Sequence, residues 1–136
     1  MSTIDDALVA RAAAYANLTA LIGAGASMRF YPAGAAPQNG ARPYVVYQMI
    51  SAPREHAMGA DPGMVRARFQ LSAWGDTSTS CRDVSDQLRA CFSRFRGTVL
   101  GVLIDDVFVE NEQDGSREPD SRYWSRLLDL IVWHRE

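Results

Sequence analysis

Val65-Arg66-Ala67-Arg68-Phe69-Gln70-Leu71-Ser72-Ala73-Trp74 decides the fold, because its apolar and polar residues alternate without a break. Val65, Ala67, Phe69, Leu71 and Ala73 fall on one side of an extended chain; Arg66, Arg68, Gln70 and Ser72 fall on the other. This is the pattern of an antiparallel strand with one face on a core and one face toward water or a partner. Upstream, Tyr44 to Ile50 is dense in aromatic and β-branched residues and reads as a second strand, with Pro43 standing where no ladder donor is needed. Between the two, residues 52–63 have no periodicity and several breakers, which predicts a long hairpin loop.

Working outward, residues 79–95 carry Cys81, Val84, Leu88, Cys91 and Phe95 at helical spacing, with Arg82, Asp83, Asp86 and Arg89 on the solvated side. Val102 to Glu112 reads as a strand, and an acidic loop joins it to a last strand, Tyr123 to His134. Trp124, Leu128, Leu130 and Val132 share one face of that strand; Tyr123, Ser125, Asp129, Ile131 and Trp133 share the other. Apolar bulk on both faces predicts a central strand, or one whose outer face a neighbour covers. At the other end of the chain, Ile4, Leu8, Ala12, Tyr15, Leu18 and Ile22 make one stripe of a helix over residues 3–22. Thr3 and Asp6 form a capping box at its start, and Gly23 and Gly25 end it. A short strand, Met28 to Tyr31, comes next. The expected class is α+β: a mostly antiparallel sheet of four to five strands with two helices packed on one face, in the order α-β-β-β-α-β-β.

The chain has 136 residues, 47% of them hydrophobic and 22% charged, which suits one domain spanning residues 1–136. No basic and apolar leader opens it and no apolar run approaches the ~20 residues of a membrane span, so a cytoplasm, or a particle assembled there, is the expected place. A formal charge of -2 supplies no global field for nucleic acid. All 14 basic residues are arginine, a trait of GC-rich genomes.

Residues that carry chemistry are few. Gly23-Ala24-Gly25-Ala26-Ser27 looks like a phosphate loop but comes after a helix instead of a strand. Cys81 and Cys91, ten apart and on different faces of one helix, are expected as buried thiols. His56 lies in the long loop, and His134 is expected as a strand-end surface residue. Glu110 and Glu112, two apart on a strand, are expected to project from one face with Asp114 just beyond, either as a solvated strand end or as a cation or acid–base pair. Asp105 and Asp106 point to opposite faces. Arg66, Arg68 and Gln70 form a cationic strip suited to carboxylates of a partner or to phosphates of passing DNA. Core packing and a subunit interface both account for Trp74, Trp124 and Trp133. The candidate assembly interface is therefore Arg66, Arg68, Gln70, His56, Trp124 and Trp133, with no catalytic residue, cofactor or metal assigned.

Several stretches in order resemble the tail-completion, or tail-terminator, proteins of long-tailed phages and phage-derived gene transfer agents. They are Leu18-Thr19-Ala20-Leu21-Ile22-Gly23, Arg29-Phe30-Tyr31-Pro32, Ala36-Pro37-Gln38 and Arg42-Pro43-Tyr44-Val45-Val46-Tyr47. Arg68 to Trp74 and the closing Asp129-Leu130-Ile131-Val132-Trp133-His134-Arg135-Glu136 complete the set, which covers residues 4–136. The resemblance implies a structural virion protein: a hexameric ring of identical subunits on the head-proximal end of the tail tube. Its partners would be itself, the tail tube protein and the head–tail connector, with DNA only in passage and no membrane. It would end tube polymerisation and provide the joint to the head. A head-side neck protein of similar fold, or a small enzyme or ligand-binding domain using Glu110, Glu112 or His56, are the alternatives.

Overall fold

The computed structural model describes residues 3–35, 41–53, 63–115 and 124–135. Thr3 caps α1 (Ile4–Ala14) with the reciprocal bonds of a capping box: Asp6 N–H donates to its hydroxyl, and its own N–H donates to the Asp6 carboxylate at 3.0 Å. The expected single helix is two. The backbone turns extended at Tyr15 (ψ 102°), and α2 (Ala16–Ile22) continues beyond it. The apolar stripe survives the break, because Ile4, Leu8, Ala12, Leu18 and Ile22 are all buried. Gly23 ends α2 at φ 92°, and a Cβ there would stand 2.7 Å from the Ser27 carbonyl oxygen, so glycine is required. A 3-10 turn (Gly25–Ser27) then leads into β1 (Phe30–Pro32).

Six strands form one sheet in the order β1-β2-β3-β6-β5-β4. β2 (Tyr44–Ser51) and β3 (Met64–Gly75) are antiparallel, as are β3 and β6 (Trp124–Arg135), which stay in unbroken register from Met64↔Arg135 to Gly75↔Trp124. β6 is central, as its two apolar faces predict. β1 pairs parallel to β2, the one parallel pair among the described strands. Among the described residues the sheet therefore has six strands in place of the four to five expected, with three α-helices in place of two. The additional strand, β4 (Gly97–Val99), pairs with the start of β5 (Val102–Asp114) through a two-residue turn, Leu100 and Gly101, both at positive φ. Leucine at the first turn position hides this hairpin, since asparagine or glycine is the usual mark.

All three helices lie on one face of the sheet. Thr77 caps α3 (Ser78–Phe92), and Cys81, Val84, Ser85, Leu88, Cys91 and Phe92 are buried against the strands. Phe92 takes the inward place expected of Phe95, which stands past the helix end. On β3 the expected alternation holds residue by residue: Val65, Ala67, Phe69, Leu71 and Ala73 are buried and their neighbours are not. Arg11 ties α1 to the end of α3. Its Nε and Nη2 donate to the Cys91 carbonyl at 3.1 and 2.9 Å, and its guanidinium lies 4.3 Å from the Phe95 ring centroid.

Two substitutions separate core from cap. Phe69→Ala is expected to lower unfolding free energy by about 3–5 kcal/mol, since a fully buried ring is lost from the middle of the sheet. Thr77→Ala should cost about 1 kcal/mol, the usual loss of one N-cap bond. Urea denaturation of both variants checks the ranking.

Candidate assembly surface

With the described helices on one face, the other face of the sheet has no helical cover among the described residues. Its residues come from alternate positions: Tyr31 on β1, Tyr44 and Val46 on β2, and Arg66, Arg68, Gln70, Ser72 and Trp74 on β3. Leu127, Asp129, Ile131 and Trp133 on β6, with Asp106 and Phe108 on β5, complete it. Strands about 4.8 Å apart with a rise of about 3.3 Å per residue give this face an area on the order of 1000 Å². That matches the roughly 800 Å² that each partner contributes to a specific protein interface.

The face has two parts. At one end Tyr31, Tyr44 and Trp74 form an aromatic row, with centroid separations of 6.0 and 6.4 Å. Toward the other end lies a charged and aromatic cluster. Arg68 Nη2 meets Glu110 Oε2 at 3.0 Å, Arg66 lies 3.8 Å from the other Glu110 oxygen, and Arg66 stands over Trp133 at 5.9 Å. The Arg68–Glu110 pair spans β6, and Ile131, in register between Arg68 and Phe108, is 3% exposed although it points away from the helices. Two guanidinium groups share the Glu110 carboxylate, and exposed pairs of this kind contribute at most about 1 kcal/mol. They can be exchanged for a partner's carboxylates at little cost.

Four of the six expected interface residues, Arg66, Arg68, Gln70 and Trp133, come together here. Trp124 does not. It sits at the opposite end of β6, 37% exposed, in register with Gly75 and so on the helix-facing side of the strand, beside the start of α3. His56 lies outside the described residues. None of the three tryptophans is in the core: Trp74 and Trp133 are half-buried on the uncovered face. Glu110, the in-chain acceptor of the arginine strip, follows Phe108 onto this face, and the strand order β3-β6-β5 brings it across β6 to Arg68.

That irregularity also corrects the expected carboxylate pair. The β5–β6 register shifts between Val109 and Asn111, so Glu110 and Glu112 leave opposite sides of the sheet. Glu112 turns toward α3, where it accepts from Ser85 Oγ at 2.9 Å, Arg126 Nε at 3.0 Å and Arg89 Nη1 at 3.2 Å. Burial pushes its carboxyl up, but the Ser85 and Arg126 hydrogen bonds and the Arg126 and Arg89 charges outweigh this and hold it below the ordinary carboxylate value. Glu112 is a fixed anion pinning β5 and β6 to α3, and the two glutamates share no site.

A second shift, between Ile104 and Asp106, sends the neighbouring aspartates to different partners. Asp105 pairs with Arg135 at 3.2 Å, while Asp106 pairs with Arg94 and Arg96 at 2.9 and 3.1 Å. His134 is not a surface residue as expected. It is 4% exposed, on the helix-facing side between Val65 and Ile104. Both cysteines are buried thiols; burial pushes Cys91 up to about 11 and Cys81 above its ordinary value, so neither is a nucleophile at neutral pH. No group of three or more metal-ligating residues occurs among the described residues. No described helix is long and apolar enough to cross a membrane.

The family described as Tail completion protein gp17 matches residues 6–135. Among curated proteins none matches. Of solved structures, a chain from the virion of a native gene transfer agent particle superposes with a TM-score of 0.60 at 18% identity, over 95% of this chain and 90% of that one. A second solved chain, known only by a sequence identifier, gives a TM-score of 0.56 at 18% identity over 100% of this chain and 97% of that one. At that identity the two structures share the fold.

Glu112 makes the acid limb of stability predictable. Its folded-state pKa lies below its unfolded value of about 4.3, so its contribution is present above that pH and is lost as pH falls through the folded value. Glu112→Gln should cost about 1–3 kcal/mol at neutral pH, the worth of hydrogen bonds to a charged group. The difference from wild type should shrink toward pH 3 in urea titrations at a series of pH values. A difference constant with pH contradicts the assignment.

Proposed function

Because the chain belongs to the tail completion protein gp17 family, and so is a structural component of a phage-type tail and not an enzyme, we propose that it forms a ring that caps the tail tube. The ring sits on the head-proximal end of the tube, stops addition of further tube subunits and provides the joint to the head connector. Its particle is a long-tailed phage or a phage-derived gene transfer agent. The neighbour found in a gene transfer agent virion supports the second choice through shared architecture. The acting unit is one domain over residues 1–136.

The observation that carries this reading is the uncovered sheet face. A soluble subunit working alone has no use for Trp74, Trp133, Phe108 and the Tyr31–Tyr44 row on its one helix-free surface, whereas an assembly subunit needs aromatic anchors with arginines beside them. Capping is then a competition of affinities. The ring holds the growing tube end more tightly than the next tube subunit does, and offers no equivalent site on its far side.

Removing the protein tests this. Particles assembled without it should show tails detached from heads, with irregular or excessive lengths in negative-stain micrographs. Tails of normal length joined to heads would overturn the proposal. Within the face, Arg68→Glu should leave the unfolding midpoint nearly unchanged, since its ion pair is exposed, yet reduce the yield of complete particles. Equal losses of both, or of neither, remove the arginine strip from the interface.

A further inference from the structure

We propose that successive copies in the ring join through two oppositely charged surfaces that flank α3, an inference that rests on the ring reading. The first is a guanidinium corner. Arg94 and Arg96, just past the end of α3, both reach Asp106 Oδ2, at 2.9 and 3.1 Å. Asp106 is 13% exposed, while the two arginine side chains are 56% and 63% exposed. Two cations share one anion, so the corner keeps a positive charge and has unused donors pointing outward. Arg94 is held in place from below. Its N–H donates to the Val107 carbonyl at 2.7 Å, and its guanidinium lies 4.7 Å from the ring centroid of Phe108, itself exposed at the rim of the uncovered face.

The second surface is a shallow groove of about 290 Å³ between α2 and α3, lined by Asn17, Ala20, Leu21, Asp83, Asp86 and Gln87. Among the described residues no arginine lines it. Asp86 is balanced by one contact to Arg89 at 3.4 Å, and exposed Asp83 has no ion pair among the described residues. The groove is thus the negative counterpart of the corner, with the Asn17 and Gln87 amides in its lining as further polar partners for a guanidinium.

Placement favours a second copy of this chain as the occupant. α2 leans toward the β1–β2 side, where Arg29 donates to the Leu21 carbonyl, while the corner lies at the β4–β5 side, bonded to the β5 edge. The two surfaces share no residue, and their anchoring bonds go to opposite ends of the strand order. Head-to-tail closure needs two different complementary patches on each subunit, and it leaves neither unmatched when the ring closes. A nucleic-acid phosphate would satisfy the corner but would leave the groove unexplained.

The test exchanges the charges on the full-length protein. Ring formation is tracked by native mass spectrometry and analytical ultracentrifugation over a concentration series, alone and with tail tubes added, and folding is monitored by near-UV circular dichroism. Asp83→Arg with Asp86→Arg, and separately Arg94→Glu with Arg96→Glu, should each raise the midpoint concentration for ring formation about tenfold or more. All four changes in one chain should recover much of the loss. If the glutamates beside Asp106 prevent folding, Arg94→Gln with Arg96→Gln gives the same reading without added repulsion.

Rings of wild-type strength in either reversed pair overturn the inference, as does a quadruple variant no better than the pairs. Loss of duplex DNA binding by the Arg94/Arg96 variants with rings intact overturns it too, and assigns the corner to phosphate. Wild-type protein that stays monomeric even on tube ends fails the ring reading itself, a result distinct from all of these.

Discussion

The antiparallel pairing of β3 with β6 is the constraint on which the rest of the structure depends. Twelve consecutive partners hold without a slip, and because side chains alternate along a strand, this register fixes the side on which every residue of both strands points. Phe69, Leu71, Leu128 and Leu130 are thereby committed to the helices, and Arg66, Arg68, Ile131 and Trp133 to the opposite face. A shift of one residue would put arginines under α3 and phenylalanine in water. The assembly surface and the core are two sides of one register.

β5 behaves differently, and its two irregularities set the electrostatics. Each adds a residue relative to β6 and so reverses the facing of the residues beyond it. One falls at Asp105, which pairs with Arg135 while Asp106 takes Arg94 and Arg96. The other parts Glu110 from Glu112, so that one carboxylate serves the uncovered face and the other locks the hairpin to α3. In a chain whose cations are all arginine, these planar, multiply donating groups find carboxylates through strand geometry and keep spare donors for neighbours.

This contrast explains what was legible from sequence. β3 could be read residue by residue because regular alternation maps directly onto burial. The central place of β6 was readable from apolar residues on both of its faces, as were the capping box at Thr3 and the buried stripe through Leu18 and Ile22. Extra residues in a strand leave no mark in a single sequence, so regular alternation puts Glu110 and Glu112 on one face; the Arg68–Glu110 link depends on the strand order β3-β6-β5, which no local pattern carries. The same blindness hid β4 behind Leu100 and the helix break at Tyr15, and it left His134 on the surface. The arginine strip and Trp133 are readable as an outward set; Trp124 shares only their residue type, since it lies at the far end of β6 and on the other side of the strand. Arg94 and Arg96 gave no signal, because their significance lies in a shared contact with Asp106 ten or more residues away.

A subunit that works by assembly must have its helix-free face covered in the particle. Hydroxyl-radical footprinting of the purified protein and of intact tails compares the two states directly. Trp133, Trp74 and Tyr44 should be oxidised readily in the free protein and strongly protected in the tails, while Trp124 serves as the reference at the far end of β6. Equal oxidation of Trp133 and Trp74 in both states would contradict the claim that this face is covered on assembly.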